Sequence, residues 1–67
     1  MTKQKWIAKE WCRYELAAIM STYDNTFAEA KEHIIEMLNE GQYSDELSNA
    51  QTKKAMAEIR FMVEAYK

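Results

Sequence analysis

Tyr43-Ser-Asp-Glu-Leu-Ser-Asn-Ala-Gln-Thr-Lys-Lys54 is the stretch on which the fold turns. Just ahead of it stands Gly41, the chain's one glycine and the residue best able to close a helix in a left-handed conformation. Within the stretch, Ser48-Asn-Ala-Gln51 has a capping-box pattern with Leu47 ahead of it, and Ser44 followed by Asp45 and Glu46 is an equally good helix start. The stretch therefore ends one helix and opens another, at Ser44 or at Ser48. Beyond it, Ala55, Ile59, Met62 and Tyr66 recur at spacings of four, three and four, a seam of coiled-coil type. Ala50, Ala57, Phe61 and Ala65 form a second line of mostly small residues. The last two helices are expected to form an antiparallel hairpin.

Upstream, Thr26-Phe-Ala-Glu29 fits another capping box and opens the middle helix. Phe27, Ala30, Ile34, Met37 and Leu38 share its inward stripe, while Glu29, Glu32, Glu36 and Glu40, with His33 alongside, share the outward one. Ser21-Thr-Tyr-Asp-Asn-Thr26 competes for backbone hydrogen bonds and breaks the chain from a first helix, which should run from just after Thr2 to about Ser21. That helix carries two apolar lines: Ile7, Trp11, Tyr14 and Ala18, and beside them Ala8, Cys12, Leu16, Ile19 and Tyr23. Trp6 lies off both. So wide an apolar arc exceeds what one neighbour covers, and one line is expected to face a second subunit.

Composition agrees. The chain has 67 residues, no proline, and an abundance of Ala, Glu, Lys, Met and Leu, so one all-α domain spanning 1–67 is expected. A chain this short buries only about 60% of the surface it exposes when unfolded, and small domains usually need a further support. Cys12 is the single cysteine, which excludes an internal disulfide and suits a reducing compartment. With one histidine, metal ligands are sparse, so a homo-oligomeric bundle is the expected support. The longest apolar run, Leu16-Ala-Ala-Ile-Met20, is far short of the roughly 20 residues of a membrane span, and charges interrupt the N-terminus where a signal peptide would be apolar. A cytoplasmic, unprocessed protein is expected.

The net charge of −2 is unevenly spread: residues 1–13 sum to +3, residues 24–46 to −6 and residues 47–67 to +2, with Glu15 completing the total. That order suits three packed helices with the acidic one beside the others. It does not suit binding to duplex DNA, which needs a dominant cationic surface. A helix-turn-helix reader with Lys53, Lys54 and Arg60 on a recognition helix would bring acidic residues to phosphate, and it ranks third among the functions considered. Glu29, His33 and Glu36 have the spacing of a carboxylate-bundle metal site on one helix, but no second helix matches them, so they read as a solvated face. No glycine-rich loop, no Cys-His pair close in sequence and no nucleophile-type turn is present, and Cys12 lies within an apolar line. We expect no catalysis, no cofactor and no metal.

The organising stretch is the most informative about binding. Ser48 and Thr52 are one turn apart on one face, Lys53 follows, and all lie at a helix start, where free N–H groups and the helix dipole favour an anion. The bland alternative makes Ser48 a cap and the lysines ordinary surface. Ser48-Asn-Ala50-Gln-Thr52-Lys53, with Ala57 five residues after the threonine, resembles the Ser-x-Ala-x-Thr-Lys pattern of the helical-hairpin domain in phage anti-CBASS and anti-Thoeris sponge proteins. After the lysine the family usually continues Leu-Glu-Glu and later has a Met-Trp pair, where this chain has Lys54-Ala55-Met56 and then Ile59-Arg60. The resemblance implies a homo-oligomer that holds a cyclic nucleotide or cyclic ADP-ribose-type immune signal between subunits. Thr52 and Lys53 would contact phosphate, and Ser48 would cap or help. Tyr43, nearest to the motif, is then a candidate for stacking on a base, and Trp11 or Tyr14 would come close from a second subunit. The alternative is a helical inhibitor of a host protein, meeting its partner through the second apolar line of the first helix with Trp6, Trp11 and Tyr14 as anchors.

Overall fold

A computed structural model of the chain describes residues 5–63. It is all-helical over that range: α1 (Ala8–Tyr23), α2 (Phe27–Asn39) and α3 (Asn49–Phe61), each packed against the other two. Thr2, Ala65 and Tyr66, invoked above, lie outside the described residues.

The core takes one stripe from each helix. Cys12, Leu16 and Ile19 of α1 meet Ala30, Ile34 and Leu38 of α2 and Ala55 and Ile59 of α3, with Leu47 closing the loop end. Ile34, Ile59 and Cys12 have no accessible surface, and the Cys12 thiol donates to the Ala55 carbonyl at 3.5 Å. The stripes of α2 and α3 are those read from spacing, Met62 being half-buried. On α1 the structure decides between the two apolar lines. The Cys12-Leu16-Ile19 line is the intramolecular core. Tyr23, at its end, is exposed. The line left outward is Ile7, Tyr14 and Ala18.

Helix ends follow local chemistry more closely than stripe length. Residues 5–7 are not helical: Ile7 is the N-cap in an extended conformation without a side-chain cap, and α1 starts at Ala8 rather than near Thr2. Trp6 packs against the core just ahead of it. At its other end α1 passes Ser21 and runs to Tyr23. Asp24 stops it, adopting φ 56°, a left-handed conformation that Asp tolerates better than most residues, while its N–H and that of Asn25 both donate to the Met20 carbonyl.

α2 opens on the expected box, with Thr26 Oγ1 accepting from the Glu29 N–H and Glu29 accepting from the Thr26 N–H. Gly41 (φ 76°) and Gln42 close it, donating to the carbonyls of Leu38 and Met37. For α3 the choice between Ser44 and Ser48 falls to Ser48: its hydroxyl accepts from the Gln51 N–H at 3.2 Å and the Gln51 side chain accepts from the Ser48 N–H at 3.0 Å. Ser44 instead sits in the turn, its N–H bonded to the Gly41 carbonyl. α3 stops at Phe61. Met62 is extended, and its carbonyl accepts from Lys31 Nζ at 2.8 Å; the last seam position, Tyr66, lies outside the described residues. Among the described residues, no helix is long and apolar enough to cross a membrane.

Candidate functional site

The loop between α2 and α3 is fixed by a small aromatic and acidic cluster. The Glu46 and Leu47 N–H groups both donate to the Tyr43 carbonyl, a tight turn that drives Leu47 into the core. Tyr43 meets Trp11 of α1 edge to face, with ring centroids 4.8 Å apart. The Tyr43 hydroxyl donates to Glu15 at 3.1 Å, and the Trp11 indole N–H donates to Glu46 at 3.1 Å. Two donors on aromatic rings thus meet two carboxylates across the α1–loop seam. Burial raises the Glu15 carboxyl above its usual range; the Tyr43 hydrogen bond opposes this and the charge of Glu46 adds to it. The Tyr43 phenol is raised by burial first and then by the charge of Glu15.

Above this seam, Tyr43, Ser48 and Thr52 line one hollow of about 370 Å³, together with Asn39 and Asn49. Thr52 and Asn39 also border an adjoining groove that continues along α3 past Lys53, Met56 and Arg60. Three of the four residues singled out for ligand contact thus share a wall, and the fourth lies on the next groove with Thr52 between. No carboxylate lines either depression, although the chain has 11 acidic residues.

Two side chains are placed otherwise than sequence reasoning had them. The hydroxyl of Tyr43 is bonded and its ring already packed on Trp11, so it walls the hollow instead of standing free to stack. Trp11 reaches the motif through its own chain, without a second subunit; Tyr14 points away and is 72% exposed. The Ser48 hydroxyl and N–H and the Gln51 N–H are used by the capping box, which leaves the N–H groups of Asn49 and Ala50 for an outside acceptor. Arg60 was legible as a site residue, since it lies two turns after Lys53 on the same face. Asn39 was not, because only the packing of α2 on α3 brings it there.

Cys12 has no accessible surface, and burial, with Glu58 and Glu15 adding, pushes its thiol up to about 11, the opposite of an activated nucleophile. Glu29, His33 and Glu36 lie together on the outer face of α2, with His33 beside the Tyr23 ring at 5.9 Å, but no group of three or more His, Cys, Asp or Glu side chains placed to hold a metal ion occurs among the described residues. No protein-family model matches the chain, and no curated protein or solved structure matches it.

Proposed function

We propose that the chain is a non-catalytic binding protein that holds a small anionic ligand along the Thr52, Lys53 and Arg60 face of α3. The supporting observation is the run of cationic and neutral donors, Thr52, Lys53, Arg60 and the amide of Asn39, along two joined depressions that no carboxylate lines. Lys53 and Arg60 are seven residues apart, about 10 Å along the helix, so they suit a ligand with two phosphates better than a single small anion. The resemblance around Ser48 to Lys53 directs the reading to a cyclic nucleotide-type immune signal. The role is then sequestration in the cytoplasm of an infected cell, with α2 and α3 as an antiparallel hairpin and the shallow trough completed by another subunit of a homo-oligomer. A base would stack on an aromatic ring such as Tyr14 from that subunit, since the Tyr43 ring is engaged.

Native mass spectrometry with a panel of cyclic di- and trinucleotides and cyclic ADP-ribose isomers tests this. One ligand should be gained in fixed stoichiometry, and Lys53→Ala should weaken it about tenfold or more while the circular dichroism stays unchanged. Retention of none of the panel, or equal affinity in the Lys53 variant, overturns the reading.

A further inference from the structure

Away from the trough, α1 and the end of α3 enclose a groove of about 660 Å³. Met20, Phe27, Phe61 and Val63 form its apolar wall, with Phe61 85% and Val63 79% exposed, and Lys9 and Arg13 stand on its rim with Glu58 as its one acid. The outer face of α2 has the opposite character: Glu29, Glu32 and Glu36 surround the half-buried Ile35. Within the chain these two regions do not engage each other. Among the described residues, the charged groups in side-chain hydrogen bonds are Glu15, Glu29, Lys31 and Glu46, so Lys9, Arg13, Glu32 and Glu36 stay exposed and unbonded.

Lys9 and Arg13 are one helical turn apart, and so are Glu32 and Glu36. Two helices laid alongside each other can therefore match them pair for pair at a rise of about 6 Å. Ile35, next to Glu36, is the apolar residue placed to enter the groove between such pairs. We propose that the groove receives the Glu32 to Glu36 face of α2 from a second copy of this chain, Ile35 lying against Met20 and Phe61, and the two glutamates against Lys9 and Arg13. The donor and acceptor surfaces are different, so the contact either pairs reciprocally across a two-fold axis or runs head to tail into a ring or filament. The contact borders the Thr52–Arg60 trough at Asn39, which lines both the trough and the α2 face, and it requires no ligand.

Sedimentation velocity on Lys9→Glu/Arg13→Glu and on Glu32→Lys/Glu36→Lys, without ligand, tests it. All four positions are exposed, and circular dichroism checks that both variants stay folded. The wild type should self-associate and lose association as salt rises from about 0.05 to about 0.5 M. Each variant alone should associate roughly tenfold more weakly or worse, because like charges then face each other. An equimolar mixture should recover assembly, since the acidic groove of one variant fits the basic α2 of the other. A wild type that stays monomeric at low salt, variants that assemble as well as the wild type, or a mixture that remains dissociated would each overturn the proposal.

Discussion

The two ends of α3 are built on different principles. Its start is tied down by named polar contacts: the Ser48–Gln51 box, the Tyr43 turn, and the Trp11–Glu46 and Tyr43–Glu15 bonds, with Leu47 sealed beneath. Its end has no such closure among the described residues, for Phe61 and Val63 stand in solvent and one bond from Lys31 holds the Met62 carbonyl. A helix start built this way has one conformation and a fixed arrangement of donors, as a ligand site requires. A helix end with uncovered apolar side chains is the usual mark of a surface that meets something else.

The contrast can be broken most strongly at Leu47, which is 5% exposed at the loop end of the core. Leu47→Ala should cost about 3 kcal/mol in urea unfolding, by lost transfer energy and the cavity left behind. A loss below about 1 kcal/mol would mean that the loop is held by its polar bonds alone. Next in size, Ser48→Ala removes the acceptor for the Gln51 N–H and should cost about 1 kcal/mol, read the same way.

The aromatic and acidic seam gives a smaller effect whose sign is fixed. The folded chain raises the Glu15 carboxyl above its ordinary 4.5, so the folded state holds this proton more tightly than the unfolded one. Its contribution is fully present below about pH 4.5 and is lost as pH rises through the folded value. Midpoints of urea unfolding measured between neutral pH and pH 4.5 should therefore rise with acidification relative to Glu15→Gln, which lacks that component. Parallel curves for the two proteins would show that Glu15 is solvated and the seam loose. At the other end of α3, Phe61→Ala should change stability by less than about 0.5 kcal/mol, since its side chain is exposed. A large loss there would show that the end of α3 is closed after all and would remove the contrast.

Much of the loop end was legible in the sequence. Capping boxes need only residues three apart, so Thr26 with Glu29 and Ser48 with Gln51 could be read from spacing, and Gly41 marked the end of α2 because a left-handed residue is cheapest without a side chain. The inward stripes of α2 and α3 were legible too, since helical period alone puts Ile34 beside Leu38 and Ala55 beside Ile59. Spacing could not rank the two apolar lines of α1, because both satisfy the same period. Nor could it end α1 at Asp24 or α3 at Phe61, where the stopping signals are a left-handed backbone and a lysine from another helix.

The candidate site divides in the same way. Local sequence determined the start of α3, its cap and the shared face of Ser48, Thr52 and Lys53, because these depend on interactions within one turn. Tertiary structure alone decided that Tyr43 spends its hydroxyl on Glu15, that Trp11 comes from the same chain, that Asn39 joins the trough and that Cys12, Leu16 and Ile19 are core. Those outcomes depend on which surfaces of three helices exclude water together, a property that no single helix carries in its own spacing.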